Sequence, residues 1–581
     1  MEQTALIAAV RKKAEVWLCD DYDAATRSQV QALIDADDPT ELIEAFYKDL
    51  EFGTGGLRGT MGVGSNRMNK YTVGAATQGL SNYLIKEFST LPEIRVVIGY
   101  DCRNNSREYA AIAADVFTAN GIKVYLFDDL RPTPEISYAI RKLGCQSGII
   151  LTASHNPKEY NGYKAYWDDG AQMIAPHDKN TIAEVNKIRT ASEIRFNGAP
   201  DLVEIIGKEM DDAFISELMT ISLSPEAIAR HHAMKIVYTP IHGSGVRIIP
   251  EALRRFGFTN IINVREQDVV SGDFPTVVSP NPEEPAAMMM AVERAKATAA
   301  ELVLASDPDA DRFGVAVMND AGEWELLNGN QTAILFIYYL IRRWKELGRL
   351  TGNEYIIKTI VSSETIRAVA EKSEVTCYDV YTGFKWIADV IRKQEGKKKY
   401  IGGGEESYGF LCEDFVRDKD AVSACCIMAE IAAWAKDQGL TVFSLLNRIY
   451  VEYGYSKEVG LSVVKTGKSG AEEIEAMMKN FRNNPLSEIA GSKVTVTHDY
   501  ASLKGYSFVE EEEFSLNMPT TSNVLQYFTD DDTKISIRPS GTEPKIKFYI
   551  EVHEPIKSEK DIPAAEKAAA DKIGKIVEMF N

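Results

Sequence analysis

Residues 94–154 decide the fold class: IRVVIGYDCRNNSREYAAIAADVFTANGIKVYLFDDLRPTPEISYAIRKLGCQSGIILTAS. Three short runs rich in β-branched residues alternate with two segments whose apolar residues recur at helical spacing. Serine or proline opens each helical segment, and glycine closes it. Strands that alternate with helices predict a parallel-type sheet with crossover connections. The third strand ends at Ser154.

The same order of strands and helices recurs at 234–311 and at 354–407. The repetition is architectural, without a clear residue-level repeat, and the two later units lead into Asp307 and Glu405. Ligands of open α/β sheets sit at the carboxyl ends of strands. The polar loop that closes each unit is therefore a candidate site.

The chain changes character after about residue 455. Strand-like SKVTVTHDY and KIKFYIEVHE, with flanking helices, predict a smaller α+β domain. The length of 581 residues agrees with several domains, because about 150 residues per domain gives roughly four. We predict three architecturally similar doubly wound α/β domains and a C-terminal α+β domain, with boundaries at 1–205, 206–322, 323–453 and 454–581.

Composition limits the function classes. The net charge of −20 disfavours a nucleic-acid or membrane binder, but leaves room for a phosphorylated small molecule. Seven scattered cysteines without a CxxC pair predict free thiols in a reducing cytosol. The apolar run at 332–341 is too short to span a bilayer and predicts a buried helix. The first residues lack the pattern of a signal peptide. We expect a cytoplasmic protein.

The first candidate loop is TASHNPKEYNGYK, residues 152–164. Ser154 could be a helix cap. A catalytic triad is disfavoured, because adjacent strand residues point to opposite faces and His155 would then point away from Ser154. There is also no GxSxG elbow. A serine that carries a phosphate needs cations and a metal around it.

The second loop, DPDADR at 307–312, offers three alternating carboxylates behind an apolar strand. They repel one another unless a cation joins them, and hard oxygen ligands suit Mg²⁺, Mn²⁺ or Ca²⁺. An EF-hand is excluded, because Arg312 and Met318 stand where glycine and glutamate are required. A solvated acidic turn is the alternative. Arg312 adds a positive charge for a phosphate.

Two further loops have polar side chains suited to a sugar phosphate. In GGGEESYG, residues 402–409, Glu405 and Ser407 suit vicinal sugar hydroxyls. In RPSGTEPKIKFY, residues 538–549, several groups could converge on a phosphate. The groups of this second loop are Arg538, Ser540, the amide of Gly541 and Thr542, and Lys545 and Lys547 follow them. Ordinary glycine turns are the alternative interpretation of both loops. TGKSG at 466–470 is not a Walker A loop, because Ser462 replaces its first glycine.

These four loops, in this order, resemble the α-D-phosphohexomutase family over essentially the whole chain. The longer phosphoglucomutase branch, with the phosphopentomutases and glucose-1,6-bisphosphate synthases, is most similar. The resemblance implies four domains around a central cleft, the last TATA-binding-protein-like. It implies a phosphorylated Ser154, one Mg²⁺ held by Ser154, Asp307, Asp309 and Asp311, and glucose 1,6-bisphosphate as activator.

The resemblance also implies roles for other residues. Arg58 in GTGGLRG and Lys164 in NGYK match residues that assist proton transfer or balance charge. Gly409 stands where some branches have histidine, which leaves the general base open. The implied substrate contacts are His155, Arg312, Lys385 in TGFKW, Glu405, Ser407, Arg538, Ser540, Gly541, Thr542 and Lys547, the last standing where arginine is common.

The implied activity is that of an isomerase interconverting glucose 1-phosphate and glucose 6-phosphate through a phosphoserine and a bound sugar bisphosphate. A phosphomannomutase, a phosphopentomutase, a bisphosphate synthase and a non-catalytic phosphosugar sensor remain alternatives. Glucose and mannose share the hydroxyls at C3 and C4, so a loop that reads those groups does not separate them. The expected partners are sugar phosphates, and a monomer and a homodimer are both compatible with the sequence.

Overall fold

Four β-sheets organise the chain in a computed structural model that describes residues 2–53, 55–465, 467–540 and 545–580. The first sheet follows three helices, α1 (Glu2–Glu15), α2 (Ala24–Asp35) and α3 (Thr40–Phe46). These helices enclose their own apolar cluster, in which Trp17 stacks on Tyr22 with ring centroids 4.6 Å apart. They support the following loop, where the Asn66 amide donates to the Ala45 carbonyl at 2.9 Å.

The first sheet has the order β1-β5-β4-β2-β3-β6. Strands β4, β2, β3 and β6 are mutually parallel, whereas β5 runs antiparallel to both β4 and β1. Its elements are β1 (Gly56–Thr60), α4 (Lys70–Glu87), β2 (Arg95–Tyr100), α5 (Ser106–Ala119), β3 (Lys123–Phe127), α6 (Thr133–Leu143), β4 (Ser147–Leu151), β5 (Tyr160–Trp167), α7 (His177–Val185) and β6 (Val203–Ile206).

The second sheet has the order β11-β10-β9-β7-β8, and β10 runs antiparallel to β9. Its elements are α8 (Lys208–Leu218), α9 (Pro225–His231), β7 (Ile236–Thr239), α10 (Gly245–Phe256), β8 (Ile261–Asn263), α11 (Pro285–Thr298), β9 (Leu302–Ser306), β10 (Phe313–Met318) and β11 (Trp324–Leu327).

The third sheet has the order β13-β12-β14-β15, and β15 runs antiparallel to β14. Helix α12 carries the apolar run at 332–341, and those residues are buried as predicted. The elements are α12 (Gly329–Glu346), β12 (Glu354–Thr359), α13 (Glu364–Lys372), β13 (Thr376–Val380), α14 (Phe384–Gln394), β14 (Lys399–Gly404), β15 (Phe410–Leu411), α15 (Ala421–Asp437) and α16 (Val442–Tyr453).

The fourth sheet is antiparallel throughout its described strands, as expected for an α+β domain. Among the described helices of the whole chain, none has the length and apolar character to cross a bilayer. The elements are β16 (Tyr455–Val464), α17 (Gly467–Asn483), β17 (Glu488–Ile489), β18 (Ser492–Asp499), β19 (Lys504–Ser507), β20 (Glu512–Ser515), β21 (Leu525–Thr529), β22 (Lys534–Pro539), β23 (Lys545–Glu554) and α18 (Ile562–Phe580).

One feature recurs in the first three sheets and adds an antiparallel strand to the predicted parallel-type arrangement. A central strand (β4, β9 or β14) ends, a polar loop turns, and the next strand returns antiparallel. The three α/β site loops are therefore hairpin turns. The domain boundaries stay predictions, although β6 runs across the one at 205/206 and β11 lies just past the one at 322/323.

Candidate active site

Ser154 lies in the turn between β4 and β5 and is 3% exposed. Its φ of +52° is in the left-handed region, which is costly for a residue other than glycine. The hydroxyl Oγ donates to Asp307 Oδ2 at 2.7 Å, and the Ser154 amide donates to Thr152 Oγ1 at 2.8 Å. The serine therefore points from the first domain into the acidic loop of the second.

The structure corrects the expectation for His155. Strand β4 ends at Leu151, so strand alternation no longer applies at Ser154, and His155 Nδ1 lies 3.2 Å from Ser154 Oγ. Burial, with the nearby cations Arg312 and Arg58, lowers the pKa of His155 to about 3. The ring is therefore neutral and a weak base, and it lies within hydrogen-bond distance of the serine hydroxyl.

Asp307, Asp309 and Asp311 form a buried triad with one oxygen from each lying within 4.8 Å of the others. Asp309 Oδ1 and Asp311 Oδ1 are buried without a hydrogen-bond partner. Buried, unsatisfied carboxylate oxygens are costly unless a cation binds them. The donor set consists of hard oxygens, and it fits a divalent cation such as Mg²⁺.

Two lysines hold this acidic pocket. Lys164 Nζ donates to Asp309 at 2.6 Å and to Asp311 at 2.8 Å, and Lys419 Nζ lies 3.2 Å from Asp311. Burial opposes the charge of Lys164, but Asp309 and Asp311 raise its pKa to about 12. Burial and the two neighbouring carboxylates raise the pKa of Asp307 well above its usual value. Three carboxylates thus face two lysines in this pocket, and Asp307 favours its neutral form unless a further cation binds beside it.

Two arginines flank the pocket. Arg312 directly follows the triad, and its Nη1 donates to Glu283 at 2.5 Å. Arg58 on β1 is exposed, and its Nη1 donates to Asn156 Oδ1 of the serine loop at 3.0 Å. Both guanidinium groups can approach an anionic ligand that enters beside Ser154.

The loop of the third domain faces the fourth domain. Glu405 is 8% exposed, and its Oε1 accepts a hydrogen bond from the Gly383 amide at 2.7 Å. Ser407 lines a cavity of about 240 Å³ together with Glu283 and Lys547. This cavity therefore joins the neighbourhood of Arg312 to the fourth domain.

The candidate phosphate loop of the fourth domain is described in part. Arg538 on β22 is paired in register with Lys547 on β23. The Ser540 amide donates to the Lys545 carbonyl at 2.7 Å. Gly541 and Thr542 lie outside the described residues. Lys547 thus lines the cavity, and Arg538 is its cross-strand neighbour.

Lys385 lies apart from that cavity. It packs beside Trp167 and His177 of the first domain, and its Nζ lies 5.3 Å from the centre of the Trp386 ring. Glu405 nevertheless holds the turn that precedes it. The described contacts therefore place the candidate residues at three locations. Ser154, the aspartate triad and Lys164 lie together, the cavity residues form a second group, and Lys385 lies at a third location.

Sequence reasoning missed two residues that contact the acidic pocket. Thr133, at the start of α6, donates through Oγ1 to Asp309 Oδ2 at 2.8 Å, and Lys419 reaches the same pocket. Thr133 follows β3, so the carboxyl-end rule could have suggested it. Lys419 lies in the charged run RDKD, a pattern typical of solvent-exposed surface, and gave no signal.

Known proteins share both sequence and fold with this chain. Models of phosphoglucomutase/phosphomannomutase α/β/α domains I, II and III match residues 49–192, 212–322 and 328–453. The phosphoglucomutase of Staphylococcus haemolyticus is 36% identical over 531 residues, covering 90% of this chain and 94% of that protein. That of Staphylococcus aureus strain MSSA476 is 36% identical over 540 residues, covering 92% and 95%.

Two solved structures show the same fold. The Paramecium phosphoglucomutase pp63/parafusin, in its open form, has a TM-score of 0.67 at 18% identity and covers 90% of this chain and 95% of its own. A phosphoglucomutase/phosphomannomutase family protein from Burkholderia thailandensis has a TM-score of 0.63 at 18% identity, covering 89% and 97%.

The matches and the site define a class, the intramolecular phosphotransferases that act as isomerases. The chain belongs to the phosphoglucomutase/phosphomannomutase family. The predicted α/β architecture and the resemblance to the phosphohexomutases are thereby confirmed.

Proposed function

We propose that this phosphohexomutase interconverts glucose 1-phosphate and glucose 6-phosphate, with Ser154 as the phosphate carrier. One observation carries the proposal: the buried Ser154 hydroxyl lies 2.7 Å from Asp307 in a pocket of three carboxylates. Two relatives named phosphoglucomutase, each 36% identical, support glucose as the sugar.

The proposed cycle conserves one phosphoryl group on the protein. Phospho-Ser154 gives its phosphoryl group to a hydroxyl of a sugar monophosphate; that hydroxyl loses its proton, and Ser154 Oγ leaves and takes one up. The resulting bisphosphate turns in the cleft and returns its other phosphate to Ser154 Oγ, which loses its proton while the departing sugar oxygen gains one. Asp307 Oδ2 and His155 Nδ1, at 2.7 and 3.2 Å, are the acceptors within reach.

A divalent cation, which we propose to be Mg²⁺, would be held by Asp307, Asp309, Asp311 and the serine phosphate. When bound, it would offset the negative charge on the phosphoryl oxygens. Asp309→Asn removes one carboxylate, and we expect a higher Mg²⁺ concentration for half-maximal activity. Unchanged Mg²⁺ activation in that variant would contradict the assignment.

The fourth domain supplies the second anchor. Arg538 and Lys547 lie on neighbouring strands beside the cavity, and both can bind the phosphate that is not reacting. Glucose 1,6-bisphosphate would act as activator by phosphorylating Ser154. A cytoplasmic location is supported by seven free thiols, which suit a reducing compartment.

The test mixes glucose 1-phosphate, Mg²⁺ and a trace of glucose 1,6-bisphosphate with the protein. We expect glucose 6-phosphate, and a phosphorylated peptide containing Ser154 by mass spectrometry. Ser154→Ala should remain folded and lose nearly all turnover. Net accumulation of bisphosphate would instead identify a synthase, binding without turnover would identify a sensor, and full activity of Ser154→Ala would refute the mechanism.

A further inference from the structure

The guanidinium of Arg103 holds the serine loop from behind. Its side chain is fully buried, and Nη1 donates to the carbonyls of Pro157 at 2.9 Å and Tyr160 at 3.0 Å. Nη2 donates to the carbonyls of Ser154, at 2.6 Å, and of Asn156. One side chain thus binds four carbonyl oxygens of one turn.

Asp101 completes this support. It lies 3.5 Å from Arg103 Nε, and its Oδ2 accepts a hydrogen bond from Thr152 Oγ1 at 2.6 Å. Thr152 Oγ1 in turn accepts the hydrogen bond of the Ser154 amide at 2.8 Å. Arg103 therefore holds the Ser154 carbonyl directly, and Asp101 holds the Ser154 amide through Thr152, which counteracts the strain of the positive φ of Ser154.

The second domain covers this arginine with an aromatic ring. The guanidinium carbon of Arg103 lies 5.1 Å from the ring centre of Phe274, which is 2% exposed. That distance is within the range of cation–π attraction. Asn104 Nδ2 also donates to Asp273 Oδ1 at 3.1 Å, and a Cβ added to Gly272 would lie 2.4 Å from the Asn104 amide. The contact is close and involves two domains.

His242 connects the loop bearing Phe274 to the acidic loop. Its Nδ1 lies 2.7 Å from the Val269 carbonyl and its Nε2 lies 2.8 Å from Thr276 Oγ1, so the ring spans the loop around Phe274. Two residues on, the Ser244 amide donates to the Pro308 carbonyl at 2.8 Å. The segment that fixes the ring therefore also contacts the aspartate triad's own loop.

We propose that Phe274 is a positioning residue for phosphoryl transfer, acting through Arg103. It fixes the serine loop of the first domain against the acidic loop of the second, so that Ser154 and the triad stay aligned. This inference rests on the proposed function of Ser154. A misplacement of reacting groups by about 1 Å can cost about 100-fold in rate. Phe274 touches neither the substrate cavity nor the triad in the described contacts.

The test compares Phe274→Leu, which removes the aromatic face but keeps apolar bulk, with Val278→Ala. Val278 is 97% exposed in the same loop and is the matched control. We expect kcat to fall by about 10- to 100-fold in Phe274→Leu, with KM and the Mg²⁺ requirement within about twofold of wild type. Val278→Ala should behave as wild type.

A double-mutant cycle tests whether Phe274 acts on the serine loop through Arg103. Combining Phe274→Leu with Arg103→Lys should lower kcat no further than Arg103→Lys alone, because the ring acts through the guanidinium. Gly272→Ala displaces the loop without touching Phe274 and should reproduce the loss of kcat. Gly272→Ala also tests the positioning role if Phe274→Leu does not fold.

Three results would overturn the inference: wild-type kcat in Phe274→Leu or in a folded Gly272→Ala, a rise in KM in place of a fall in kcat, or fully additive losses in the cycle. Phosphorylation of Ser154 in the wild type, measured in parallel, separates the two hypotheses. A wild type that turns over through phospho-Ser154, with normal Phe274 variants, rejects the positioning role alone.

Discussion

Lys419 occupies the space that a side chain at Gly409 would need. A Cβ added to Gly409 would lie 2.1 Å from Lys419 Cδ and 2.7 Å from Cγ. Lys419 uses this space to approach Asp311 at 3.2 Å. Where the resemblance to some branches of the family would place a histidine, this chain therefore has a glycine that admits a lysine.

Gly409→Ala should accordingly disturb the acidic pocket. Overpacking a filled site costs about 1–3 kcal/mol, and displacement of Lys419 removes a cation from Asp311. We expect a lower melting temperature and a lower kcat, measured by thermal unfolding and steady-state kinetics. Gly574→Ala is the control, because a Cβ there meets nothing within 4 Å. Wild-type kcat in Gly409→Ala would refute the role given to this space.

Lys164→Met should make folding depend on the cation. Removing one partner of a buried ion pair costs about 3–5 kcal/mol, because Asp309 and Asp311 lose their shared lysine. We expect a lower melting temperature in chelator, and a larger increase on adding Mg²⁺ than in the wild type. Lys208→Met, whose side chain is 79% exposed, controls for loss of a surface pair. Equal Mg²⁺-induced shifts in Lys164→Met and wild type would contradict this.

Arg538→Ala should weaken binding of the distal phosphate. Loss of a buried charge-assisted contact costs about 2–5 kcal/mol, by analogy with buried charge pairs at interfaces. We expect KM to rise, kcat to fall, or both, in steady-state assays with glucose 1-phosphate. Lys504→Ala is the control in the same domain, since Lys504 pairs with Glu513 on a distant hairpin. Unchanged kinetics in Arg538→Ala would remove Arg538 from the site.

Glu406 should make stability depend on pH. Burial, and then the charge of Glu405, raise the pKa of Glu406 to about 7. A carboxyl whose folded pKa is raised contributes stability below its unfolded pKa and loses it as the pH rises through the folded value. The melting temperature of wild type relative to Glu406→Gln should therefore fall between pH 5 and 8. Parallel profiles of the two proteins would exclude a raised pKa.

The preferred substrate should be glucose 1-phosphate, then mannose 1-phosphate, then ribose 1-phosphate. Glucose and mannose share the C3 and C4 hydroxyls, whereas a pentose phosphate has a shorter chain between phosphate and ring, and we expect it not to bridge Ser154 and Arg538 fully. A site that hydrogen-bonds a hydroxyl can reject a substrate lacking it by about 10⁴-fold. The measurement is kcat/KM for each under one buffer and one activator. A higher value for ribose 1-phosphate would indicate a phosphopentomutase.

The interior strands could be predicted from sequence because both faces are buried. Strands β2, β4 and β9 are continuous apolar runs with helix caps or glycines between them. The return strand β5 could not. YNGYKAYW of β5 mixes glycine, lysine and aromatic residues, and its strand geometry comes from pairing with β4 and β1.

The candidate site residues also differ in whether a local sequence pattern reveals them. Ser154 and the three aspartates are unusual residue types at strand ends, so local patterns were enough to select them as candidates. Thr133, Lys419 and Arg103 act through contacts with residues far along the chain, which single-sequence reasoning does not reveal. The N-terminal helices were assigned to the first domain, and their separate cluster around Trp17 depends on packing with Tyr71.

The hairpin between β4 and β5 makes spacing part of the chemistry. Lys164 faces the aspartates because β5 is registered with Lys164 opposite Ile150. Successive residues of a strand face opposite sides, so a slip of one residue would present Tyr163 there instead. Insertions and deletions between Ser154 and Lys164 should thus be tolerated less well than substitutions at most positions of that loop.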